Sequence, residues 1–360
     1  MDQEGTNAAT PPVKKRYEWI DNARVVAALL IIYAHMQWFF PNEPMVTNDL
    51  AGSLIVTTTY YGRVPFFLIL AGYFLARQIT WHKALDRALW LLIPYAAWNC
   101  LYYVWTHLPT LTLDSFMTDL PWMLGIGPFF SRNTALFAEY PGSPYIPVTW
   151  FLRDIILLSL LTPIFARYRH IIKYILIIVF CALPTKFAPQ ANQYAMLSPG
   201  YCTYYLLGVC LVDFRISDAY RILNKKFTVL LVMGVLAAVA LSFYTSGHGL
   251  PRFTSPMIGC VFGALMIAQC GILIEMYLPR FSKWLAPCGP ACFLVFVLHA
   301  PVFQMTTWLM PQWITGTALV WLLPIPVCAF IIGIFLLMKR FTPWLMPYLG
   351  HMKMPKQTAR

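Results

Sequence analysis

Charge is so scarce in this sequence that it decides the class of fold. Lys and Arg number 26 and Asp and Glu 14 among 360 residues, so charged side chains make up 11% of the chain, against about 25% in an ordinary soluble domain. Hydrophobic residues reach 59% and aromatics 16%. A water-facing surface cannot be covered with so little charge. A soluble globule, a disordered chain and a small disulfide scaffold are therefore excluded. The expected fold class is all-α: a polytopic integral membrane helical bundle. Two-residue alternation of apolar and polar side chains is missing, which argues against a β-barrel.

A spanning helix needs about 20 mainly apolar residues. Ten runs answer to this, at 22–40, 53–76, 88–106, 148–166, 170–184, 198–214, 227–245, 255–277, 289–309 and 316–338. The fifth is short, and Pro199, Gly200 and Gly208 interrupt the sixth. Basic residues test this count independently. With both termini cytoplasmic, the inner segments hold 21 of the 26 Lys and Arg, leaving Arg63, Arg132, Arg153, Lys186 and Arg252 for the outer half. That bias is what the positive-inside rule requires. The net charge of +12 is thus absorbed by topology, and no nucleic-acid partner is implied.

Three segments follow: a cytoplasmic N-terminal tail at 1–16, a transmembrane domain at 17–340 and a cytoplasmic C-terminal tail at 341–360. The polar start before the first apolar run could open a signal peptide, but the run is long and no A-x-A site follows directly. It reads as an uncleaved first span. No appended soluble domain is expected, and no internal repeat is evident. A long proline- and aromatic-containing outer loop covers about 107–147; loops of that length are uncommon unless functional. The nine cysteines fall almost entirely within the spans and form no C-x-x-C pair. Small apolar filler is the reading they support, and no metal is expected.

Ionisable residues inside spans are costly, and each is a candidate for function. The first span carries Asp21, Arg24 and His35. Eleven residues separate Arg24 from His35, about three turns plus 20°, so the two share a face roughly 16 Å apart along the axis, with Asp21 within about 40° of the same stripe. Arg63 and His299 each fall about ten residues into their spans, roughly 15 Å deep, so His35, Arg63 and His299 share one depth. Gly62, Pro65 and Pro301 flank them, and broken backbone at such depth suits a buried or watery cavity. Two imidazoles and a guanidinium there suit proton transfer and anion stabilisation. A boundary pair plus ordinary helix-gluing polar residues is the plainer reading. Lys83 and Arg87 form a basic layer at the inner boundary that would hold a phosphate-rich ligand, although positive-inside charge accounts for it equally. Trp150, Arg153 and Asp154 open the fourth span at the outer edge; anchoring explains the first two, Asp154 less readily.

These motifs resemble the membrane-bound acyltransferase-3 family. IDNAR followed by His35 is similar to the family's first-helix pattern of acid, Arg, ten residues and His. RVPFFLILAGYFLAR resembles its second helix, DRALWLLIPYAAWN its third, VTWFL the start of its fourth, and VFVLHAP its late Tyr-x-x-His-x-Pro segment. The similarity runs in order from residue 17 to about 301. Departures are Ala71 where Ser is usual, Val295 to Val297 in place of the Tyr-bearing stretch, and Val25-Val26 where Gly-Ile is common.

The resemblance implies a multi-pass enzyme of the bacterial cytoplasmic (inner) membrane. It would use a cytosolic acyl-CoA, usually acetyl-CoA, to acylate a sugar hydroxyl of a lipid-linked or envelope glycan. In that frame Arg24, Lys83 and Arg87 bind CoA phosphates and Asp21 orients Arg24. His35 is the general base, or the site of an acyl-histidine intermediate. Arg63 or His299 stabilises the thioester oxyanion, and Trp150, Arg153 and Asp154 face the acceptor. A transporter or flippase of a lipid-linked saccharide would use the same polar cavity without covalent chemistry, though inverted repeats are not seen. A membrane assembly or sensor subunit is a third class, for which no residue speaks.

Overall fold

A computed structural model describes residues 17–39, 62–77, 80–124, 146–168, 172–177, 179, 199–247, 255–309, 322–346 and 348. The N-terminal tail, about half of the fifth apolar run, residues 125–145 of the outer loop and the C-terminal tail from 349 on lie outside them. Every regular element among the described residues is helical. In chain order the longer α-helices are α1 (Glu18–Phe39), α2 (Arg63–Ala76), α3 (Trp81–His107), α4 (Leu113–Met123), α5 (Trp150–Arg167), α6 (Pro199–Cys210), α7 (Thr228–Gly247), α8 (Ser255–Tyr277), α9 (Pro279–Leu285), α10 (Cys292–Leu309) and α11 (Pro324–Phe341). A 3-10 segment, Ala286–Ala291, joins α9 to α10.

Among the described residues four helical stretches are long and apolar enough to cross a membrane: Glu18–Met36, Gly259–Tyr277, Pro279–Thr306 and Pro324–Phe341. A fifth is possible if Ile216–Ile222 and Lys225–Ala240, bent by 60°, form one broken span. Arg63–Ala76 and Tyr201–Asp213 are shorter apolar helices. The expected all-helical membrane class is thus met, and among the described residues four or five of the ten expected spans stand as long apolar helices. Two differences are physical. The ninth apolar stretch begins at Pro279 rather than 289, because α9 continues through the 3-10 segment into α10. The outer loop is partly helical, since Leu113–Met123 forms α4.

α1 is the axis of the bundle. It packs on α8, α9, the 3-10 segment, α10, α11 and α2, and 67% of its apolar stretch is buried against 28% for α11. A helix surrounded by protein can carry polar groups that lipid would reject. Small residues permit these contacts, as expected where helices associate by close packing. A Cβ on Gly72 of α2 would meet Tyr205 O at 2.1 Å, and one on Gly208 of α6 would meet Ile69 O at 2.1 Å, so each helix seats its glycine against the other's backbone. A Cβ on Gly289 would sit 2.6 Å from Asp21 Cβ, which locks the 3-10 segment onto the start of α1.

The start of α1 is also held by polar contacts. The Trp19 N–H and the Tyr220 hydroxyl each donate to Glu275 Oε2 at 2.8 Å, a carboxylate placed at the positive end of a helix. Asn22 Nδ2 donates to Ser282 Oγ at 2.8 Å, and that hydroxyl donates to Glu18 Oε2 at 3.0 Å.

Candidate active site

One turn into α1, Arg24 Nη1 lies 3.2 Å from Asp21 Oδ1, with the Arg24 side chain 35% exposed and Asp21 buried. Such a half-exposed pair contributes at most about 1 kcal/mol. Its consequence is directional: it fixes where the guanidinium points. Arg87 of α3 comes within electrostatic range of Arg24, so two helices bring two permanent cations to the same end of the bundle. Lys83 is exposed one turn earlier on α3.

Three turns further along α1, His35 meets His299 of α10. His299 Nε2 is 3.1 Å from His35 Nδ1, with ring centroids 4.9 Å apart and planes tilted by 34°. His35 Nδ1 is also 2.9 Å from Ile31 O, and His299 Nδ1 is 3.0 Å from Val295 O, each one turn back on its own helix. His299 is fully buried. Pro301 lies within α10 and, lacking an N–H, cannot donate into the helical ladder.

Arg63, expected about ten residues into its span where Gly62 and Pro65 make the helix irregular, is the first residue of α2, and Gly62 before it has φ +89°. That left-handed conformation suits glycine alone, and a Cβ there would fall 2.1 Å from the Gly263 carbonyl carbon. The turn thus sets a helix N-terminus and a guanidinium, 8% exposed, within electrostatic range of both imidazoles. Positive helix dipole and positive side chain coincide.

The outer-edge trio is placed differently. Trp150 is half-buried and packs on Tyr201, centroids 4.5 Å apart. Asp154 is fully buried and Arg153 nearly so, with Arg153 Nη2 3.6 Å from Asp154 Oδ1. The rings of Phe151 and Phe296, 5.1 Å apart, stand between that start of α5 and His299, 6.4 Å beyond Phe296. Two phenylalanine rings thus separate Trp150 from His299, and the Arg153–Asp154 pair is buried within the packing of α5.

Some of the polar framework was not singled out from sequence. Asn99 of α3, fully buried, donates from Nδ2 to Tyr95 O at 2.8 Å and Thr149 Oγ1 at 3.0 Å, and its Oδ1 accepts the Ile146 N–H at 2.8 Å. The Tyr95 hydroxyl donates to Leu124 O at 2.7 Å. One helix therefore holds both described ends of the outer loop. The Tyr102 hydroxyl donates to Gln304 Oε1, tying α3 to α10 beyond His299. The signal was present: amides in apolar helices are costly by the same reasoning as charges. Among the described residues no group of three or more His, Cys, Asp and Glu could hold a metal ion.

The acyltransferase domain family known as acyltransferase-3 has a family model that matches residues 17–339. The chain belongs to the acyltransferase-3 family. No curated protein and no solved structure matches it. Family membership makes the protein an acyltransferase and a membrane protein, in keeping with its apolar helices. Chemically, paired imidazoles beside a guanidinium are able to act as a base and to place positive charge near an oxyanion, two things that acyl transfer asks of a site.

Proposed function

We propose that this acyltransferase moves an acetyl group from cytosolic acetyl-CoA to a sugar hydroxyl of a lipid-linked or envelope glycan in the bacterial cytoplasmic membrane. Within the family the sequence resembles the enterobacterial common antigen O-acetyltransferase, and a lipid-linked saccharide acceptor follows from that resemblance. The observation that carries the reading is the layout along α1: an Arg24–Arg87 cationic end and a His35–His299–Arg63 layer roughly 16 Å away by helical rise.

Arg24, steered by Asp21, and Arg87 hold donor phosphates, with Lys83 at the rim. The pantetheine arm extends along α1 and brings the thioester to the histidine layer. His35 takes the proton of the acceptor hydroxyl as its oxygen attacks the thioester carbonyl. Arg63 and the N-terminus of α2 face the oxyanion. When the C–S bond breaks, His35 returns its proton to the departing thiolate, so ester and free CoA thiol are formed with no net change at the site. Trp150 offers the acceptor sugar an aromatic face.

The test is the purified protein in liposomes, given radiolabelled acetyl-CoA and isolated envelope glycan. Label in the glycan is the expected result. Saccharide moved across the bilayer without label would replace this reading with transport.

A further inference from the structure

His299 is buried behind His35, and the two rings meet nitrogen to nitrogen rather than presenting both faces to a common cavity. The tautomers follow from the contacts. A backbone carbonyl can only accept, so a ring nitrogen at hydrogen-bond distance from one carries the proton. Val295 O at 3.0 Å therefore places the His299 proton on Nδ1. A neutral imidazole has one N–H, so His299 Nε2 carries a lone pair. Ile31 O at 2.9 Å independently places the His35 proton on Nδ1. That N–H is then shared between Ile31 O and His299 Nε2, 3.1 Å away. The two carbonyls, on two different helices, demand the same direction across the pair. The reverse direction would set two N–H groups against each other.

We infer that His299 is a positioning residue that fixes His35 as the Nδ1–H tautomer, leaving the His35 Nε2 lone pair as the base of the acyl transfer. This rests on the proposed acyl-transfer reading of the site and assigns His299 a role within it. The Val295 carbonyl orients His299, and His299 orients His35. A carboxylate would do the same for a histidine in a soluble hydrolase. Here a second imidazole does it without bringing a net charge into an apolar interior, where an ion is expensive. When His35 Nε2 accepts the hydroxyl proton, the Nδ1–H becomes the donor of an imidazolium. Its bond to His299 Nε2 then turns charge-assisted and strengthens at the step where positive charge appears. The proton that moves is the one on Nε2, from acceptor hydroxyl to leaving thiolate; the Nδ1 proton stays where it is.

The experiment uses the full-length protein in lipid bilayers with ¹⁵N-labelled histidine and solid-state NMR, beside steady-state kinetics. In the wild type, the His35 resonances, identified by their loss in His35→Ala, show Nδ1 protonated and Nε2 bare. His299→Gln puts an amide oxygen where Nε2 was, so the His35 tautomer and most of kcat persist. His299→Leu removes the acceptor: the His35 tautomers mix, and kcat falls about 10-fold or more, toward the 10²–10⁴-fold that a general base contributes, with the acetyl-CoA KM unchanged. A protonated His35 Nε2 in the wild type overturns the inference, as does His299→Leu with unaltered tautomer and turnover. If His299→Leu does not fold, the wild type and His299→Gln decide the matter alone. The tautomer is read from nitrogen shifts and not from turnover. Failure of the acyl-transfer reading, seen as an active His35→Ala, is thereby distinguishable from failure of the tautomer assignment.

Discussion

At the scale of single residues, the proposed reaction has α1 separate donor binding from chemistry by three turns of helix. Arg24 is partly exposed and tethered to Asp21, whereas His35 contacts His299 in the interior. Substitutions at the two positions should therefore fail in different ways. His35→Ala removes the base without emptying a large volume, so expression and membrane insertion are retained while kcat falls by about 10²–10⁴-fold, or to background if histidine carries the acyl group. Arg24→Ala removes a charge-assisted contact to the donor, about 1.5–3 kcal/mol, which reads as an acetyl-CoA KM raised roughly ten- to a hundredfold with kcat largely kept. An unchanged donor KM would remove Arg24 from the phosphate site. His35, Arg24 and Asp21 were legible in the sequence because helical spacing is fixed arithmetic and charge in an apolar run is conspicuous. The His35–His299 contact was legible only as equal depth, since which helix neighbours which is not written in either helix alone.

Among elements, the tightest association is between α2 and α6, where Gly72 and Gly208 each rest on the opposite backbone. Because the atoms in the way are main-chain, no rotamer change relieves an added side chain. Gly208→Leu should cost about 1–3 kcal/mol or more and lower the thermal midpoint of the detergent-solubilised protein. Gly333 of α11 has nothing within 4 Å of its virtual Cβ and serves as the contrast. Gly333→Ala should leave the midpoint unchanged or raise it, by about 0.5–1 kcal/mol from helix entropy. A second element-scale expectation concerns α3. Asn99→Leu leaves the Ile146 N–H without its acceptor, at about 1–3 kcal/mol, while the Thr149 hydroxyl keeps Ile146 O, and frees one end of the outer loop; faster proteolytic cleavage within 125–145 than in the wild type is the measurement. Hydropathy located these helices but not their ends. The start of α2 at Arg63 depends on Gly62 meeting Gly263, a contact 201 positions distant in sequence. α5 was legible as the run 148–166 in spite of Arg153, Asp154 and Arg167.

For the molecule as a whole, the contacts gather the basic turns at one end. Arg77 donates to the Val212 and Phe214 carbonyls, joining the end of α2 to the turn that holds Arg215. Tyr220 and Trp19 share Glu275, which brings that turn to the start of α1. Ser282 binds Asn22 and Glu18, so α9 with Arg280 and Lys283 lies there too. Lys339 at the end of α11 comes within range of Cys288, next to the Gly289–Asp21 contact. Sorting the basic residues by sequence assigned every one of these segments to the cytoplasm, and packing, which knows nothing of a membrane, collects them at one pole. The grouping of the basic turns was more legible than the number of spans, because charge bias survives averaging over many short turns whereas a helix broken by Pro or Gly loses its apolar length. The sidedness itself is open to measurement. Lys283 is exposed at the basic pole and Thr110 is exposed beyond the far end of α3. Lys283→Cys should react with a membrane-impermeant maleimide in inverted inner-membrane vesicles and resist it in intact spheroplasts, and Thr110→Cys should show the opposite pattern. Labelling of Lys283→Cys from the outside would turn the molecule over, place Arg24 and Arg87 away from the cytosol, and leave a cytosolic acyl-CoA without its binding end.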